Sequence, residues 1–166
     1  MTVQSRIHEV WARLLSSSLE DRLRYAPSDC FETFPFPEAK AFAGLDDLGK
    51  KLHESRAAYM KAEQVGLTTT YNRLKDESET SPAIRTLRTL HEEVDRAVIA
   101  AYGWKDIPVP PYCAPPPAAW TAFEDRVLDE LFKLNHERHE EEKRAGLATP
   151  ATKEKKPTKK KPKAGA

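Results

Sequence analysis

Three groups of side chains have types and spacings that chemistry could use. His136, His139 and Glu140 fall within about one helical turn, and His91 and Asp95 stand four residues apart, so either set could offer ligands to a metal from one helix face. Glu92, Glu93 and Asp95 supply the carboxylates that general acid and base catalysis would need. Each group also has a plainer reading. His136 and His139 stand among Glu137, Glu140, Glu141 and Glu142, as on a solvated helix end. His91 lies beside Leu87 and Val94, where Asp95 or another neighbour would hydrogen-bond it. A working carboxylate pair needs a cleft that separates the two pKa values, and the spacing supplies none, so we read these acids as solvated helix charges.

The commoner cofactor and nucleophile motifs are absent from the sequence. Six scattered glycines form no GxGxxG or other phosphate-cradling loop, and there is no GxSxG or HExxH. Cys30 and Cys113 lie far apart without metal-ligand spacing and are read as free, reduced thiols. We therefore expect no metal, no cofactor and no catalysis from this chain alone. The candidate contacts to a polyanion are Arg22, Arg24, Arg85 and Arg88, with Lys159, Lys160 and Lys161 near the C-terminus, although salt bridges to the many glutamates compete for the arginines.

The elements that must position these residues are mostly helices. Val3, Ile7, Val10, Trp11, Leu14 and Leu15 recur at helical intervals and predict a helix ending near Ser17. PSDCFETFPFP follows, where Pro27, Pro35 and Pro37 favour extended geometry. Trp11, Phe31, Phe34 and Phe36 are the candidates for docking onto a partner surface. A helix is expected from Leu45 to Val65, ended by Gly66, then a short one in LTTTYNRLKD. Ser81-Pro82 should cap and open a strong helix that stops near Gly103. Six prolines in residues 108–117 predict a semi-rigid connector, and a last helix should run from about Ala118 to Gly146. The expected fold is mainly α: an antiparallel helical bundle with an extended Phe/Pro segment near the N-terminus and a disordered Lys-rich tail.

Charge divides the chain. Residues 153–163 hold seven lysines and one glutamate, a balance of +6, which leaves −5 elsewhere in a chain of net charge +1. A tail of this composition buries too little apolar surface to offset its ordering entropy. No stretch approaches the roughly 20 apolar residues of a membrane span, and the N-terminus has no secretory pattern, so a cytoplasmic protein without membrane contact is expected.

Several strings resemble one family: IHEVWARLLSSS, RLRYAPSDCFETFPFP, GLTTTYNRLKD, LRTLHEEVDRAVIAAYGWKDI and RVLDELFKLNHERHEEEKRAG. Together they cover roughly residues 5–146 and are similar, in order, to the C-terminal end of large adenine-specific DNA methyltransferases of type II restriction-modification and phage-defence systems. SDCFETFPFP and DRAVIAAYGW are the distinctive ones. The resemblance implies that residues 1–37 are the remnant of the end of a target-recognition domain and 38–107 a helical C-terminal domain. Residues 108–117 would then be the connector, 118–146 a terminal helix and 147–166 the basic tail. The family's catalytic loop, (Asn/Asp/Ser)-Pro-Pro-(Tyr/Phe), is approached only by Val109-Pro110-Pro111-Tyr112, where valine has no acceptor for the target amino group, so VPPY is read as linker.

The expected function is thus a non-catalytic C-terminal portion that supports target-DNA recognition. The resemblance implies a methyltransferase companion chain carrying S-adenosylmethionine, with duplex DNA engaged through the complex. The alternative is an autonomous helical DNA-binding or regulatory module using the basic tail.

Overall fold

A computed structural model describes residues 1–19, 22–38, 41 and 45–146. The chain is mainly α. After a 3-10 turn at Thr2–Gln4 come α1 (Arg6–Leu15), a hairpin of β1 (Ser17–Leu19) and β2 (Arg22–Arg24), and the single turn α2 (Pro27–Cys30). Then follow α3 (Leu45–Glu63), α4 (Leu67–Lys75), α5 (Pro82–Ala101) and α6 (Pro117–Arg144). The basic tail lies outside the described residues.

Helix α5 occupies the centre of the body, with α1, α3 and α4 packed against it, and α6 lies on α1. Its apolar residues Ile84, Leu87, Leu90, Val94 and Val98 repeat at three and four residues, so all fall on one buried stripe. Pro82 opens the helix with the backbone angle it needs, but Ser81 makes no side-chain cap hydrogen bond. Gly103, at φ 78°, closes it, and Trp104 N–H reaches back to the Ile99 carbonyl in the six-residue closing bond that a left-handed residue permits. Helix α3 ends in the same way, with Gln64 at φ 52° and Val65 N–H donating to the Met60 carbonyl. Gly66, expected to end α3, instead precedes α4 as its N-cap.

The N-terminal segment departs from expectation. Pro27 at the first helical position turns PSDC into α2, and the antiparallel strands β1 and β2 lie before it, with Ser17 opposite Arg24. Phe34 then enters the core beside Ile7, Val10 and Trp11. Pro35 accepts from Tyr102 Oη at 3.0 Å and Phe36 from the Arg138 guanidinium at 2.6 Å, which clamps the FPFP segment to α5 and α6. In the proline-rich residues 108–117, Val109 and Tyr112 pack against the core, which Ile107 joins just before them.

Candidate functional site

Arg6 is the first residue of α1, where main-chain N–H groups lack helical acceptors. Ser5 caps the helix, its Oγ accepting from His8 N–H at 3.5 Å, and Arg6 N–H donates to Asp95 Oδ1 at 2.8 Å. Arg6 Nε donates to Asp95 Oδ2 at 2.6 Å. The two terminal nitrogens donate to the carbonyls of Pro111 at 3.0 Å and Pro110 at 2.7 Å. The guanidinium carbon also lies 5.3–5.8 Å from the ring centroids of Tyr112, Trp120 and Phe123, within the range of cation–π attraction. Arg6 thereby ties α1, α5, α6 and the proline strap together.

A carboxylate at Asp95 is buried to 1% exposure, and burial raises its pKa while the Arg6 guanidinium and N–H pull it back. One turn earlier, His91 stacks on Tyr112 with ring centroids 4.5 Å apart. Burial first, then the charges of Arg56 and Arg6, lower its pKa to about 4, so the imidazole is neutral at pH 7. Its Nε2 is buried without a hydrogen-bond partner. Tyr112 N–H donates to Glu92 Oε1 at 2.9 Å, and Arg96 donates to the other oxygen of that carboxylate at 2.9 Å. Burial raises the Tyr112 hydroxyl above its ordinary range. A cleft of about 530 Å³ opens beside this cluster, with Tyr112 and Trp120 as aromatic walls and Glu9, Arg13, Lys75 and Glu124 around it.

These contacts correct two expectations. Asp95 does not hydrogen-bond His91; Arg6 takes both of its oxygens. Nor is Asp95 a solvated charge, and Glu92 is half-buried and engaged by the strap. The VPPY segment is a latch on α1 and α5. No group of three or more His, Cys, Asp or Glu side chains among the described residues is placed to hold a metal, and Glu140 is paired with Lys143 at 2.8 Å. Cys30 is buried and Cys113 half-buried, both as free thiols.

The other candidates separate. Trp11 and Phe34, at 1% and 4% exposure, belong to this chain's own core and are closed to a partner, because α1 packs onto α5 and α6. Phe31 is exposed with its ring edge against the half-buried Phe36, centroids 5.2 Å apart. Phe132, absent from the sequence-based candidates, is also exposed and lies 5.5 Å from the Trp11 ring. The repeat of Phe123, Val127 and Leu131 already defines the buried face of α6 and turns Phe132 about 100° away from Leu131.

Arg88 donates to the carbonyls of Leu74, Arg73 and Asp76 at 2.6–3.1 Å, capping the end of α4, so its donors are turned inward to the fold. Arg24 and Arg85 are exposed, whereas the Arg22 side chain and Lys159, Lys160 and Lys161 lie outside the described residues. Among the described residues no helix is long and apolar enough to cross a membrane.

None of the protein-family models, curated proteins or solved structures compared with this chain matches it.

Proposed function

We propose that the chain is the non-catalytic helical portion of an adenine-specific DNA methyltransferase system and supports target recognition in company with a catalytic chain. One observation carries this reading. Arg6, from the segment that the resemblance gives to the end of a recognition domain, is bonded twice to Asp95, in the part that it gives to the helical extension, so the two segments are tied through a buried ion pair. The strings also fall on structural units in order: IHEVWARLLSSS contains most of α1, GLTTTYNRLKD forms α4, and LRTLHEEVDRAVIAAYGWKDI spans most of α5 and its closing turn. A rigid unit can hold a recognition surface in register with a catalytic domain, the positioning that accelerates a bound reaction.

The test joins the full chain to a methyltransferase chain that ends before its own IHEVWARLLSSS-like segment. Methyl transfer from labelled S-adenosylmethionine to adenine in duplex DNA should require both chains, and they should co-elute. Site-specific transfer at the same rate by the catalytic chain alone, without co-elution, overturns the proposal. Duplex binding by the isolated chain, steeply weakened by salt, would instead favour the autonomous module.

A further inference from the structure

Two grooves run along opposite sides of the last turns of α6. One, about 600 Å³, has the exposed Phe132 in its lining together with Glu32 and Glu142. The other, about 450 Å³, includes Tyr102 and Leu134 with Glu137 and Glu141. Arg138 lies between them, and its guanidinium is held by the Phe36 carbonyl at 2.6 Å. The grooves thus combine apolar surface with an excess of carboxylate, which suits a cationic chain whose long methylene stems cover rings while its ammonium groups meet acids.

We propose that these grooves dock the chain's own Lys-rich segment, residues 153–163. Three observations select this occupant. Its seven lysines complement the four exposed glutamates. Eight residues, 145–152, separate it from the helix that forms the groove walls, because α6 ends at Arg144. It is also long enough: at about 3.1 Å per residue in extended form, the 20 residues after Gly146 reach roughly 60 Å, more than the length of α6 at about 1.5 Å per residue. Lysines held on α6 are withheld from phosphates, so the docked tail restrains the chain's own affinity for DNA. That consequence rests on the proposed function; the docking does not.

Zero-length carbodiimide cross-linking of the dilute full chain, read by peptide mapping, tests the docking directly. Tail lysines should link within one chain to Glu32 and Glu137 as well as to the nearby Glu142, and the links should fade in about 0.5 M salt, where charges are screened within a few ångströms. Glu32 is decisive, because it lies on the Phe/Pro segment rather than beside the tail. The E137Q/E141Q variant, altered only at exposed positions, should lower the Glu32 link several-fold. Equal linkage to the remote Glu54 and Glu77 would overturn the proposal, and covalent dimers would assign the grooves to a second copy. Neither result depends on a methyltransferase partner.

Discussion

Arg6 and Asp95 stand 89 residues apart and meet through two hydrogen bonds on one carboxylate, from the Arg6 main-chain N–H and from Nε. The pair does what a local helix cap would do and also closes the chain on itself. Removing one member leaves the other charge buried without its partner, the costly case for an ion pair. Asp95→Ala and Arg6→Met should each lower stability by about 3–5 kcal/mol in urea unfolding. The double replacement R6M/D95A should lose clearly less than the sum of these two singles, since it leaves neither charge behind. Strict additivity would show that the pair is not coupled.

Acid should loosen the same region through His91. Its folded-state pKa of about 4 lies below the ordinary 6.5, so between these values the unfolded chain binds more protons. The stability this group contributes is therefore fully present above pH 6.5 and lost as pH falls toward 4. A depression of this size corresponds to about 3 kcal/mol. His8, lowered by burial, acts in the same direction. His91→Gln should flatten most of the slope in unfolding free energy between pH 7 and pH 4.5. An unchanged slope would assign it to His8 or the carboxylates.

Phe34 and Phe31, three residues apart, should respond oppositely. Phe34 is 4% exposed and packs edge-on against His8 and Phe36, so Phe34→Ala should cost about 3–5 kcal/mol and Phe34→Asp should unfold the chain. Phe31 is 44% exposed, and Phe31→Asp should leave the circular dichroism spectrum and unfolding midpoint close to wild type. If Phe31 docks on a companion chain, this variant should bind that chain at least about tenfold more weakly. Undiminished binding would remove Phe31 from the interface.

The helices were legible because their signals are local. The apolar repeat of α5, its opening proline and Gly103 all lie within one stretch of chain, and the same holds for α4 and α6. The lock was less legible because its partners meet only through the fold. Part of it was nevertheless written in the pattern: Leu87, His91, Val94, Asp95 and Val98 share one helical face, so the histidine and aspartate had to be buried with the core. Nothing in the spacing named Arg6 as the residue that would meet Asp95. The Phe/Pro segment misled in a different way. Its aromatics suggested a surface awaiting a neighbour, but for Phe34 and Phe36 that neighbour is the chain itself, as the Tyr102 and Arg138 clamps show, while Phe31 stays exposed.

Arg88 separates structural arginines from DNA contacts. Its three bonds fall on the Arg73, Leu74 and Asp76 carbonyls where α4 ends, two of which also accept a main-chain N–H. Lysine has a single nitrogen and cannot hold three acceptors in the same fork, so Arg88→Lys should recover little of the stability lost in Arg88→Ala. We expect that loss to be about 2–3 kcal/mol, from bonds to a charged donor of which two are half-buried and one is exposed. Under the methyltransferase proposal, Arg88→Ala should leave the salt dependence of duplex binding by the assembled complex unchanged. The exposed Arg85 and Arg24 are the better phosphate candidates, and substituting a true contact should reduce the slope of log affinity against log salt by about one. A reduced slope in the Arg88 variant, with its unfolding midpoint intact, would show that the guanidinium leaves α4 to reach DNA.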